Sequence, residues 1–159
     1  MRHTVSILVA NRSGVLVRVA SLFSRRGYNI ESLSVGTTDD PDVSRITVVV
    51  EGDEGIVEQV TKQLNKLVDI YKVSNISDDP SIDRNLALIK VKASLNNRSE
   101  IMQIVDVFRG KVVDVASESL VIEITGDEEK ISAIEELLRP FGILEMVRTG
   151  KIAMVRGDK

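Results

Sequence analysis

Twice along this chain the spacing of apolar residues changes from every second position to every third or fourth and back, each time in the order strand, helix, strand, strand, helix, strand. A stretch of period two needs sheet partners and a stretch of helical period needs a face to cover, so two copies of this order admit few folds. In the first copy Val5, Ile7 and Val9 alternate with Thr4, Ser6 and Leu8. Asn11-Arg12-Ser13-Gly14 interrupts the alternation. Val15, Leu16, Val19, Leu22 and Phe23 then take helical spacing, with Ser13 placed to cap the start. Arg25-Arg26-Gly27 closes the helix, because glycine accepts the left-handed conformation and cations suit the last carbonyls. Residues 30–36 and 45–51 read as a hairpin joined through the acidic turn Asp39-Asp40-Pro41-Asp42. Asp53 caps a second helix carrying Ile56, Val60, Leu64 and Leu67, and residues 70–76 supply a last strand.

Residues 77–83, with three aspartates, a proline and two serines, are the one linker-like stretch, and they divide the chain into domains over 1–77 and 84–159. Beyond them the order recurs: strand 86–93, helix 99–109, strands 112–116 and 120–125, helix 128–139, strand 143–149. The run from Phe23 to Gly27 and the run Phe108-Arg109-Gly110 both end a helix that leads straight into a strand, as an internal repeat would. The expected fold class is α+β: two tandem ferredoxin-like βαββαβ domains, each an antiparallel sheet with two helices on one face. Halves this small leave much apolar surface uncovered, so association with another chain is expected.

Composition excludes several functions. Apolar residues at 43% and charged residues at 28% are the balance of a folded globular protein. No cysteine is present, which removes disulfides, thiolate nucleophiles and cysteine metal sites. With 21 basic and 24 acidic side chains the net charge is −3, which offers no field for nucleic acid or an anionic membrane. No apolar run approaches the ~18 residues of a membrane span, and a cytoplasmic location is expected. His3, the single histidine, reads as a partly exposed residue at the chain start, far from any nucleophile pattern. Asp39, Asp40 and Asp42 lack the glycine and glutamate of a calcium loop, and no phosphate-binding glycine pattern occurs. The RNA-recognition fold shares the βαββαβ order but stacks bases on aromatics of its central strands. Here Phe23, Tyr28, Tyr71, Phe108 and Phe141 all lie at helix ends or outer strands.

The segment from Asn11 to Leu16 carries the remaining chemistry. A free amino acid needs donors for its carboxylate and an acceptor for its ammonium. A helix start supplies unpaired N–H groups and a favourable dipole, Gly14 allows close backbone approach, and the Asn11 amide can accept from an ammonium. Val15, Leu16 and Ile30 are placed to enclose an aliphatic side chain. A plain capped loop has the same composition, so spacing by itself leaves both readings open.

The run from Asn11-Arg12-Ser13-Gly14-Val15-Leu16-Val17-Arg18-Val19 through Leu22-Phe23-Ser24-Arg25-Arg26-Gly27-Tyr28-Asn29-Ile30-Glu31-Ser32-Leu33 closely resembles the opening of the small regulatory subunit of acetolactate synthase (acetohydroxyacid synthase), an ACT-domain family. Ser44-Arg45-Ile46-Thr47, Gln63-Leu64-Asn65-Lys66-Leu67, Phe108-Arg109-Gly110, Arg148-Thr149-Gly150 and Arg156-Gly157-Asp158-Lys159 extend the likeness over the chain. The resemblance implies an ACT domain in the first half, a second domain of similar topology, and no catalysis by this chain. It implies activation of a separate large catalytic subunit, which holds thiamine diphosphate, Mg2+ and FAD, and feedback inhibition by valine in branched-chain amino-acid (valine, leucine, isoleucine) biosynthesis. It further implies a homodimer in which Asn11, Gly14, Val15 and Leu16 of one chain hold valine together with Asn29 and Ile30 of the other, with Val35 and Gly36 shaping the pocket. Many ACT domains have aspartate and proline where this chain has Asn11 and Ser13; asparagine suits this branch of the family. The competing expectations are an ACT-type regulator of another enzyme and a nucleic-acid-binding ferredoxin-like module.

Overall fold

The structure, a computed structural model, describes residues 1–158. They form two compact units, one of residues 1–82 together with 150–158 and one of residues 83–149. The residues after Thr149 pack with the first unit.

In the first unit, strand β1 (Arg2–Ala10) leads to helix α1 (Val15–Arg25), strands β2 (Asn29–Thr37) and β3 (Val43–Glu51), helix α2 (Glu54–Asn65) and strand β4 (Ile70–Asn75). The sheet order is β2-β3-β1-β4 and every pairing is antiparallel. Val5, Ile7, Val9, Ile46, Val48 and Val50 face the helices and meet Val15, Val19, Phe23, Val57, Val60 and Leu64 in one buried core. Phe23 is wholly buried and meets Tyr28 edge to face, with ring centroids 6.4 Å apart. Burying such a ring contributes roughly 1.5–3 kcal/mol, and truncating it would leave a cavity. His3 departs from the expected exposed terminus. It is in phase with Val5 and Ile7, is 3% exposed, and its Nε2 lies 3.0 Å from the Gly52 carbonyl.

The second unit runs through β5 (Ser81–Lys92), α3 (Arg98–Val107), β6 (Lys111–Val115), β7 (Ser119–Gly126), α4 (Glu128–Leu138) and β8 (Ile143–Arg148), with a 3-10 turn at Arg139–Phe141. Its order β6-β7-β5-β8 reproduces that of the first sheet strand for strand. The irregularities recur as well. Register shifts at Leu8/Val9 against β4 and at Lys90/Val91 against β8 occupy equivalent places, and the first edge strand of each sheet also carries one, opposite Val50/Val49 in β3 and Ile122/Val121 in β7. Bulges are placed features of a sheet, so their repetition supports a duplicated plan more strongly than element order does.

The two helix ends qualify the repeat seen in the sequence. Gly27 has φ 72°, and the Tyr28 amide donates to the Phe23 carbonyl at 3.1 Å. In the second unit the Gly110 amide donates to the Val105 carbonyl at 2.8 Å, and the left-handed residue is Arg109, at φ 58°. Arg109 is thus the counterpart of Gly27 and Val105 that of Phe23, so the two Phe…Gly runs are offset. Gly110 serves a different need: a Cβ there would lie 3.1 Å from the Glu123 carbonyl oxygen.

Strand β9 (Ile152–Val155) pairs with β5, and its residues pack with the first unit. The Arg156 amide donates to the Pro80 carbonyl at 2.8 Å, the Lys151 amide donates to Ser32 Oγ at 2.8 Å, and Lys151 Nζ donates to Thr4 Oγ1 at 3.1 Å. Thr4 and Ser32 sit on strands whose core-facing residues alternate with them, so residues 150–155 strap the sheet face turned away from α1 and α2.

Candidate functional site

The turn between β1 and α1 is held from three sides. Asn11 is exposed, its backbone N–H donates to the Asp42 carbonyl at 2.8 Å, and its Nδ2 donates to the Pro41 carbonyl at 2.9 Å. That orientation commits the amide nitrogen and leaves Oδ1 as an acceptor with no partner among the described residues. Arg12 and Arg18 both pair with Asp69, whose own carbonyl accepts from the Ala10 amide at 2.8 Å. Asp69 lies 57 residues from Arg12, and no spacing rule connects them.

Helix α1 starts without a side-chain cap. Its N-cap is Gly14, at φ 87°, and Ser13 makes no capping bond, which corrects the expectation drawn from composition. Helices α2 and α4, by contrast, are capped by Asp53 and Asp127, whose carboxylates accept from Ile56 N–H at 2.8 Å and Lys130 N–H at 2.9 Å. At the start of α1 the Val15 amide reaches only the Arg12 carbonyl at 3.4 Å, and the Leu16 and Val17 amides have no backbone acceptor outside the helix. The first turn of this helix therefore presents donors and the positive end of its dipole to a carboxylate.

The residues anticipated for effector binding do not all meet in one chain. Asn11, Gly14, Val15 and Leu16 gather at this turn. Val15 is 3% exposed and points into the core, so it offers its backbone and not a wall, while Leu16 is 40% exposed. Asn29 pairs with Glu51, which in turn pairs with Arg2, whereas Asn11 follows Ala10, which pairs with Val43. Along β3 these rows are eight residues apart, about 27 Å at the usual strand rise of ~3.4 Å. Ile30 packs against the core at Asn29's end of the sheet, while Val35 and Gly36 pair with Ile46 and Arg45 near the end where Asn11 lies.

The chain is built of two ferredoxin-like units in tandem, and helix α1 of the first starts without a side-chain cap. A family model described as the AHAS small subunit-like ACT domain matches residues 5–72, and one described as the small subunit of acetolactate synthase matches residues 84–157. The probable acetolactate synthase small subunit of Archaeoglobus fulgidus is 56% identical, over 100% of this chain and 99% of that one. The acetolactate synthase small subunit of Mycolicibacterium smegmatis is 50% identical, over 99% and 92%. The crystal structure of the acetolactate synthase small subunit from Thermotoga maritima superposes with a TM-score of 0.91 at 42% identity, covering 100% of this chain and 99% of that one. The chain belongs to the family of acetolactate synthase small subunits.

Proposed function

We propose that this chain is the regulatory subunit of acetolactate synthase, which activates a separate catalytic subunit and makes it sensitive to valine through a site shared by two copies of the chain. The observation that carries the two-copy reading is the separation of Asn11 from Asn29 by the length of the sheet. Strand β2 is at the edge of its sheet and pairs only with β3 among the described residues. Two β2 edges laid antiparallel, centred near Leu33, set Asn29 and Ile30 of one copy beside Gly36 and Thr37 of the other. That is the end at which the other copy's Asn11 to Leu16 turn lies.

The same arrangement covers apolar surface that the single chain leaves bare. Leu16, Leu33 and Val35 are 40%, 37% and 45% exposed, and Leu33 and Val35 face the helix side of the sheet beyond the reach of α1. In the joined site the Leu16 and Val17 amides receive the carboxylate, Asn11 Oδ1 accepts from the ammonium, and Leu16, Val35 and Ile30 of the second copy surround the isopropyl group. The thiamine diphosphate, Mg2+ and FAD of the reaction belong to the catalytic subunit in this reading.

A ligand seated between two copies favours whichever arrangement of the copies closes its site. Its effect on the catalytic subunit is bounded by the difference in affinity between arrangements, about 1–3 kcal/mol or 5–150-fold. The test is acetolactate formation by a catalytic subunit of this family, alone, with this chain, and with this chain plus valine. Stimulation by the chain and its reversal by valine are expected; equal rates in all three would refute the proposal.

A further inference from the structure

On the face of the first sheet turned away from its helices, the strand register assembles a pair of cations. Leu8 of β1 lies opposite Arg45 of β3 on one side and opposite Lys72 of β4 on the other. The two basic residues therefore flank one leucine across three adjacent strands, whose outer members are about 10 Å apart at a strand spacing of ~4.8 Å. In the next row Ser6 lies opposite Ser74. Residues 153–155 pass over these side chains and leave a crevice of about 160 Å3 lined by Ser6, Leu8, Arg45, Lys72, Ser74 and Met154, among others.

No carboxylate of the described residues lines this crevice, although acidic residues outnumber basic ones in the chain as a whole. Neither Arg45 nor Lys72 takes part in an ion pair among the described residues. Arg45 Nε is moreover buried without a hydrogen-bond partner. A guanidinium N–H removed from water with no acceptor is uncommon, since its desolvation goes uncompensated. On its other side Arg45 borders a wider hollow of about 510 Å3, where Asp39 and Asp40 stand. Of the two hollows that Arg45 lines, the one it shares with Lys72 is free of carboxylates from the described residues.

We propose that this crevice is a second ligand site, for a small anion bearing carboxylate or phosphate oxygens. Arg45 and Lys72 bind the oxygens from either side, the Ser6 and Ser74 hydroxyls donate from the floor, and Leu8 and Met154 border the remainder of the molecule. Arginine suits this role because its planar guanidinium can present two N–H groups to one acid group, while lysine adds a point charge. The volume fits inorganic phosphate or a short dicarboxylate and excludes a helix or strand of another protein. The site lies on the opposite face of the sheet from α1 and uses none of the residues assigned to valine, so it stands whether or not the two-copy site does.

The experiment is an NMR titration of the full chain at low ionic strength with inorganic phosphate, with succinate, and with chloride as the control. Saturable shifts are expected at the amides of Ser6, Leu8, Lys72, Ser74 and Met154 and at Arg45 Nε–H, for phosphate or succinate but not for chloride. The stronger of the two probes identifies the acid class. Arg45→Gln and Lys72→Gln should each weaken binding at least tenfold, and Lys72→Arg should retain it. Because Lys72 is exposed, its variants test the site even if Arg45→Gln perturbs folding. Shifts that are absent, that chloride reproduces, or that survive unchanged in Lys72→Gln would overturn the proposal.

Discussion

Gly150 lies so close to the backbone of Leu33 that a Cβ built on it would collide with the Leu33 carbonyl oxygen and lie within 3.0 Å of the Ser34 nitrogen. Its neighbour Lys151 donates its amide to Ser32 Oγ, so the strap meets β2 at a point where no side chain fits. Backbone cannot yield as the end of a flexible side chain does. Gly150→Ala is therefore expected to cost about 1–3 kcal/mol, read as a lower midpoint in thermal or urea unfolding. An unchanged midpoint would show that the strap does not hold this position in solution.

The helix starts differ in what a cap deletion should do. Asp53 and Asp127 accept first-turn N–H bonds, so Asp53→Ala and Asp127→Ala should each destabilise by about 1 kcal/mol. Ser13 makes no such bond, and Ser13→Ala should leave stability within ~0.5 kcal/mol of the parent. Equilibrium unfolding of the three variants checks this; a Ser13 effect as large as the others would mean that its hydroxyl caps α1 after all.

Opposite outcomes are expected at the two left-handed helix ends. Gly27→Ala places a Cβ at φ 72° and should cost about 1 kcal/mol. Arg109→Gly relieves the same strain at φ 58° and should gain up to about 1 kcal/mol, less the entropy of the added glycine. Differential scanning calorimetry of the pair decides it, and shifts of the same sign would contradict the assignment of equivalent positions.

A site that draws Asn11 from one copy and Asn29 from the other can be rebuilt by mixing. Asn11→Ala and Asn29→Ala homodimers should each lose most valine binding. Mixed dimers of the two variants carry one doubly damaged site and one intact site, so co-refolded mixtures should regain binding at up to half the sites of those mixed dimers. Calorimetry with valine reads the recovered stoichiometry. No recovery despite demonstrated exchange of subunits would place both residues in one chain's site or outside it.

Local sequence carried much of the architecture. The alternation of Val5, Ile7 and Val9, the helical stripe of Val15, Val19, Leu22 and Phe23, and the Asp53 cap are all set within a few residues of one another, and each is found where spacing puts it. The candidate site was legible in part. Asn11 and Gly14 mark a strand handing over to a helix, a composition that a plain turn shares. What composition could not reveal is that Ser13 leaves the helix uncapped, that Val15 faces inward, or that Asn11 is pinned through Pro41.

Periodicity and caps act over one or two turns of chain, and they fix the order of elements and the faces these bury. That Arg12 and Arg18 share Asp69, that His3 is buried, that residues 150–155 pack with the first unit, and that Arg45 and Lys72 flank Leu8 follow only from the folded arrangement. Those relationships join residues tens to more than a hundred positions apart, and they are fixed by sheet register and by burial of whole elements. No local propensity encodes them; they exist only once the strands have paired.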